Sequence, residues 1–112
     1  MKILNWFDTK DEDELVRAIA AELVKRVPPE TLPARDKKAA DRLRNTHDAV
    51  FSRVAKFART RELNIYKKGR IGNQFRWALK EAGYPPEFVE SWTYALAALV
   101  ALSRAVDKEP NH

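Results

Sequence analysis

The clearest helical pattern in the chain lies between residues 10 and 27. Apolar residues recur there at spacings of three and four, which places them on one face of an α-helix: Val16, Ile19, Ala20, Leu23, Val24 and Val27. Thr9 followed by Glu12 matches a capping box, and acidic residues fill the first turn. Because Pro28-Pro29 ends the pattern, we predict a first helix over about 10–27.

The second pattern runs without Gly or Pro from Ala34 to about Tyr66. An unbroken helix of that length would span about 48 Å, whereas a compact domain of 112 residues is about 34 Å across. The conflict leaves two alternatives. The helix either breaks between Thr60 and Asn64, where the apolar spacing shifts, or it projects beyond the body of the domain. We favour the break.

The last third of the chain predicts two more helices. Gly69 and Gly72 bracket a short connection, and the helical period that follows ends at Gly83, a residue suited to the left-handed position after a helix. Pro85-Pro86 opens the final helix, whose run over 95–102 is apolar on all sides and indicates a central position.

These patterns predict an all-α fold, since alternating strand patterns do not occur. We expect one domain over residues 1–106, a compact bundle of four to five helices with a long basic second helix and a central apolar C-terminal helix. Residues 107–112 are expected to form a disordered tail.

Composition narrows the function classes. The chain has no cysteine, which removes disulfides, thiolate metal sites and a cysteine nucleophile. It shows no secretory signal pattern and no apolar stretch that could cross a bilayer, so we expect a cytoplasmic protein without membrane insertion.

Positive charge is concentrated in the middle of the chain. Residues 35–70 hold twelve basic and four acidic residues, a net charge of +8, whereas the chain as a whole carries +5. This surplus permits a nucleic-acid or other polyanion site, with seven candidate side chains: Arg53, Lys56, Arg59, Lys67, Lys68, Arg70 and Arg76. The alternative is a solvated helix face whose cations complement the acidic first helix.

Few patterns in the sequence indicate a catalytic site. His47 lies on or beside the apolar stripe of the second helix, without a second histidine or a carboxylate at metal-ligand spacing. We expect it to be half-buried and hydrogen-bonded. Nucleophile elbows and phosphate-binding glycine loops are missing from the sequence, so we expect no enzyme, no cofactor, no metal and no small-molecule substrate.

The aromatic residues suggest a binding surface. Trp77 lies about 200° around its helix from Phe75, and Tyr94 is similarly offset from Trp92, so neither pair can face one neighbour. Either a bundle core uses all eleven aromatic residues, or some remain for a protein partner or a second copy of the chain. We favour a protein-interaction or self-assembly module, with four interface candidates: Trp6, Phe7, Trp77 and Tyr94.

Overall fold

The computed structural model describes residues 6–103 and confirms an all-α fold in that part of the chain. It contains a short 3₁₀ helix at Pro29–Thr31 and four α-helices: α1 (Lys10–Arg26), α2 (Lys37–Thr60), α3 (Ile65–Ala82) and α4 (Pro86–Leu102). The tail predicted at 107–112, like both ends of the domain predicted at 1–106, lies outside the described residues.

The first helix begins where the sequence predicts, but its N-terminus does not have the hydrogen bonds of a capping box. Thr9 occupies the N-cap position without a capping hydrogen bond to the backbone. Its hydroxyl donates instead to Asp13 Oδ2 at 3.2 Å. Glu12, the other half of the expected capping box, is buried. The capping-box prediction is therefore wrong, because the Thr9 side chain supports a carboxylate on the next turn.

The long second pattern breaks where expected. α2 ends at Thr60, and Arg61 adopts an extended conformation with φ −136° and ψ 143°. Asn64 then caps α3, its side-chain oxygen accepting from the Lys67 backbone N–H at 2.7 Å. The 24 residues of α2 span about 36 Å, within a longest dimension of 50 Å. Residues 37–45 of this helix include no buried side chain.

The predicted connection around Gly69 and Gly72 is wrong, because both glycines lie inside α3. A Cβ at Gly72 would meet the Cβ of Ala97 at 3.5 Å, so this glycine marks a close approach of α3 and α4. Tertiary packing thus outweighs the weak helix propensity of glycine. The true helix end is Gly83, which has a φ of +97° and donates its N–H to the carbonyls of Leu79 and Lys80.

The four helices form two antiparallel hairpins, α1–α2 and α3–α4, that pack against each other. α1 contacts α2 and α3, while α4 contacts α3 and α2. Asp13 bonds to Arg70 near one end of the bundle, and Tyr84 bonds to Val27 near the other. α1 and α3 therefore lie side by side and run in the same direction. The core between the helices is built from branched and aromatic side chains, among them Ile19, Leu23, Val54, Phe75, Leu79 and Leu96.

Candidate functional site

Trp77 lies on the outer face of α3 and is 60% exposed to solvent. An open groove of about 340 Å³ runs beside it between α1 and α3. Val16 and Ala78 give this groove apolar walls, and its polar lining includes Arg17, Gln74 and Glu81. We call this surface the Trp77 groove. A large exposed aromatic beside apolar walls is typical of interaction sites.

An ion pair between α1 and α3 closes one end of the Trp77 groove. Arg70 Nε donates to Asp13 Oδ1 at 3.0 Å, and Arg70 Nη2 donates to Asp13 Oδ2 at 3.1 Å. These hydrogen bonds lower the pKa of Asp13, with partial burial acting in the opposite direction. The same bonds raise the pKa of Arg70. Both groups therefore stay charged, and the paired fork fixes the register of the two helices.

That register determines what flanks Trp77. Because α1 and α3 are parallel and Asp13 pairs with a residue 57 positions later, Arg17 is level with Gln74, and Val24 is level with Glu81. Arg17 and Glu81 therefore lie on opposite rims of the groove, about 10 Å apart along the helix axes. Neither side chain forms an ion pair with another residue of 6–103. No local pattern singles out either residue, since only the packing of α1 on α3 makes them neighbours of Trp77.

The other interface candidates lie elsewhere. Tyr94 is 78% exposed on α4, and Phe7 is 56% exposed with its ring edge-on to Tyr66 at 5.1 Å. Trp6 is partly buried, and its carbonyl accepts from Asn64 Nδ2 at 3.0 Å. Within the described chain, no ring contact joins Trp77 to any other aromatic. The four candidates therefore do not make one site.

Three of the polyanion candidates contact polar groups of other helices or of the residue that follows α4. Arg70 is held by Asp13, and Arg76 Nη2 donates to Glu90 Oε1 on α4 at 3.1 Å. Lys68 Nζ lies 3.4 Å from the carbonyl oxygens of both Ala101 and Ser103, at the end of α4 where helix carbonyls lack partners. A count of formal charge cannot reveal such partners.

The remaining polyanion candidates divide into two groups. Lys67 lines a pocket of about 530 Å³ near the start of α1 together with two other cations, Lys10 and Arg61. The pocket also holds four carboxylate residues, and their excess disfavours an anion site there: Asp8, Asp11, Glu12 and Glu62. Arg53 and Lys56 are exposed on α2, beside a second groove that Glu14 also lines, and Arg59 is exposed nearby in sequence. Of the seven candidates, only these last three are both exposed and without an ion-pair partner in the described part of the chain.

His47 packs among aromatic rings. Its imidazole stacks on Phe51 at 4.1 Å and meets Trp92 edge-on at 5.0 Å. Asp48 Oδ1 lies 3.8 Å from its Nδ1, too far for a hydrogen bond. Ring packing at the α2–α4 contact thus takes the place of the expected hydrogen bond. Residues 6–103 bring together no group of three or more His, Cys, Asp or Glu side chains that could hold a metal ion.

Comparisons with known proteins identify no relative. The chain matches no protein-family model, no curated protein and no solved structure. No helix between residues 6 and 103 is long and apolar enough to cross a membrane. The function is therefore inferred from the side chains of this chain alone.

Proposed function

We propose that this protein is a non-enzymatic self-association module, and that two copies pack face to face through the Trp77 groove. The observation that carries the proposal is a 60% exposed tryptophan placed between two opposite charges, Arg17 and Glu81, that lack ion-pair partners within residues 6–103. The chain has no cysteine, so such a dimer needs no disulfide and suits a reducing cytoplasm.

The placement of the two charges is self-complementary. In a two-fold dimer, a contact between one residue of the first copy and another residue of the second is repeated with the copies exchanged, and residues on the axis meet their own counterparts. A two-fold axis that lies in the interface at the level of Trp77, perpendicular to the line from Arg17 to Glu81, brings Arg17 of one copy to Glu81 of the other, twice. A patch with a single sign of charge would instead repel its own copy.

The energetic roles of these side chains differ. Hiding the exposed part of one Trp77 side chain, roughly 100 Å², contributes about 2.5 kcal/mol. Each exposed Arg17–Glu81 pair contributes less than about 1 kcal/mol. The tryptophan therefore supplies the affinity, and the two ion pairs select the register of the two copies.

Light scattering after size-exclusion chromatography tests the proposal over a range of protein concentrations. The wild type is expected to approach twice its monomer mass of 12.9 kDa. Trp77→Ala should restore the monomer mass, while Tyr94→Ala, which removes a still more exposed aromatic on α4, should leave the dimer intact. A wild-type monomer at every concentration, or an unchanged mass in Trp77→Ala, refutes the proposal.

A charge exchange tests the register of the dimer. Arg17→Glu and Glu81→Arg should each weaken association, because like charges then face each other across the interface. Combining the two substitutions in one chain should restore the dimer, since the contact is again between opposite charges. Failure of the double variant to recover, while each single variant is weakened, contradicts the two-fold arrangement.

A further inference from the structure

We propose that α2 also carries a binding surface for the phosphate backbone of double-stranded nucleic acid. Five of its cations, here called the α2 basic strip, are exposed: Lys38, Arg42, Arg53, Lys56 and Arg59. Within residues 6–103 none of them is ion-paired, whereas Lys37 and Arg44 share Asp41. The strip is therefore a subset of the basic segment that the fold leaves open to solvent.

The strip lies on one side of the helix. With the buried Val50 marking the direction of the core, the five side chains fall within about a 120° sector. They extend over about 32 Å of helix. Asn45 and Ala49 lie between them in the same sector, and Asp41, at the edge of the sector, is already paired with Lys37 and Arg44. A row of this shape can follow a nucleic-acid backbone.

Neighbouring helices do little to cancel this charge. Of the two carboxylates that share a groove with Arg53 and Lys56, Asp11 is already paired with Arg61. Glu14 is the other. Asp48, on α2 itself, is also exposed and lies about 20° outside the sector. Two open carboxylates against five open cations leave the strip positive.

The strip carries no aromatic side chain, which favours a duplex over a single strand. Phe51 and His47 stack on each other, and Phe57 packs against the core, so α2 turns its rings away from the strip. Proteins that hold single strands stack bases on exposed aromatics. Phosphate contacts from lysine and arginine alone carry no base information. We therefore expect binding without sequence preference.

Fluorescence anisotropy with short labelled DNA and RNA duplexes tests the inference as a function of salt. Five phosphate contacts predict a logarithmic salt slope of about −4.5, which is about a 500-fold loss of affinity between about 50 and 200 mM salt. In the variant Arg53→Gln with Lys56→Gln, three contacts remain, so the slope should fall to about −2.7 and the same salt change should cost about 40-fold. Glutamine keeps helix propensity at these exposed positions.

The matched control removes two exposed cations from other helices, with Lys25→Gln and Lys80→Gln in one chain. It lowers the net charge by the same amount and should leave the salt slope unchanged. Equal losses in both variants would show a general charge effect and overturn the inference. Absence of duplex binding by the wild type at low salt, or tighter binding to single strands, would also overturn it.

The inference is independent of the proposed dimer, because the strip belongs to one copy of the chain. Trp77→Ala should therefore retain duplex binding with the same salt slope per copy. Loss of duplex binding in that variant would show that the strip needs the dimer and would contradict the inference as stated.

Discussion

The phenolic hydroxyl of Tyr84 donates a hydrogen bond of 2.6 Å to the backbone carbonyl of Val27. Tyr84 follows α3 directly, and Val27 is the residue after α1, so the bond joins the ends of the two parallel helices. The Tyr84 ring is buried and stacks on Phe88 at 4.8 Å. Burial, with a smaller contribution from Glu30, raises the pKa of Tyr84 from 10.0 to about 12.

This bond predicts a loss of stability at alkaline pH. Because the pKa is raised in the folded state, the contribution is complete below pH 10 and is lost as the pH rises towards 12. A shift of this size corresponds to roughly 3 kcal/mol. Tyr84→Phe should cost about 1 kcal/mol at pH 7 and lack this alkaline loss. Urea unfolding at neutral and alkaline pH measures the free energy of unfolding of the wild type and of Tyr84→Phe. A difference between the two proteins that stays constant with pH would contradict the prediction.

The Asp13–Arg70 pair predicts the opposite dependence on pH. Since the pKa of Asp13 is lowered on folding, its contribution is present above the unfolded value of about 3.9 and is lost as the pH falls through the folded value. Asp13→Asn should cost about 1 kcal/mol at neutral pH, because the pair is partly exposed. Unfolding measured at neutral and acidic pH should show the difference shrinking in acid. If Asp13→Asn costs the same with Arg70→Met already present, the two side chains are not coupled.

Two buried threonines offer a matched comparison. Thr46 Oγ1 donates to the carbonyl of Arg42 at 2.7 Å, whereas the buried Thr93 hydroxyl has no hydrogen-bond partner within residues 6–103. Thr93→Val should therefore stabilise the protein by about 1 kcal/mol, and Thr46→Val should destabilise it by a similar amount. Free energies of unfolding from urea titrations decide the matter. Changes of the same sign in both variants would show that hydrogen bonding does not distinguish the two sites.

Two glycines should respond to alanine in opposite ways. Gly69 lies inside α3 with open space around a new Cβ, so Gly69→Ala should stabilise the helix by about 0.5–1 kcal/mol. Gly83 has a φ of +97°, so Gly83→Ala should cost about 1 kcal/mol or more through strain. Relative to the wild type, the thermal midpoint should rise in Gly69→Ala and fall in Gly83→Ala. A stabilised Gly83→Ala would mean that the turn relaxes out of its left-handed conformation.

The sequence predicted the features that local signals control. Prolines and helical periodicity place α1 and the start of α4, and the shift in apolar spacing after Thr60 indicates the break between α2 and α3. The connection predicted around Gly69 and Gly72 is wrong, because the contact of Gly72 with Ala97 on α4 has no local signal and Gly69 lies inside α3 with no packing requirement for glycine. The parallel pairing of α1 and α3 has no local signal at all.

In the candidate site, too, some features follow from local sequence signals and others only from packing between helices. The exposure of Trp77 follows from its angle to Phe75 on a single helix, which periodicity gives. Arg17 and Glu81 become its neighbours only through the register that Asp13 and Arg70 impose. For the basic residues, the sequence supplies the number of charges but not which of them have carboxylate or carbonyl partners.

The order of the helices also bears on how the chain folds. Residues 83–85 join α3 to α4, and residues 27–36, with the 3₁₀ helix among them, join α1 to α2. Closing either loop has a modest entropic cost, because that cost grows slowly with loop length. Contacts that are distant in sequence, such as Asp13 with Arg70 and Tyr84 with Val27, form only when the hairpins meet. We therefore expect fast folding, typical of helical proteins with many local contacts, in which the docking of two early hairpins is the slowest step.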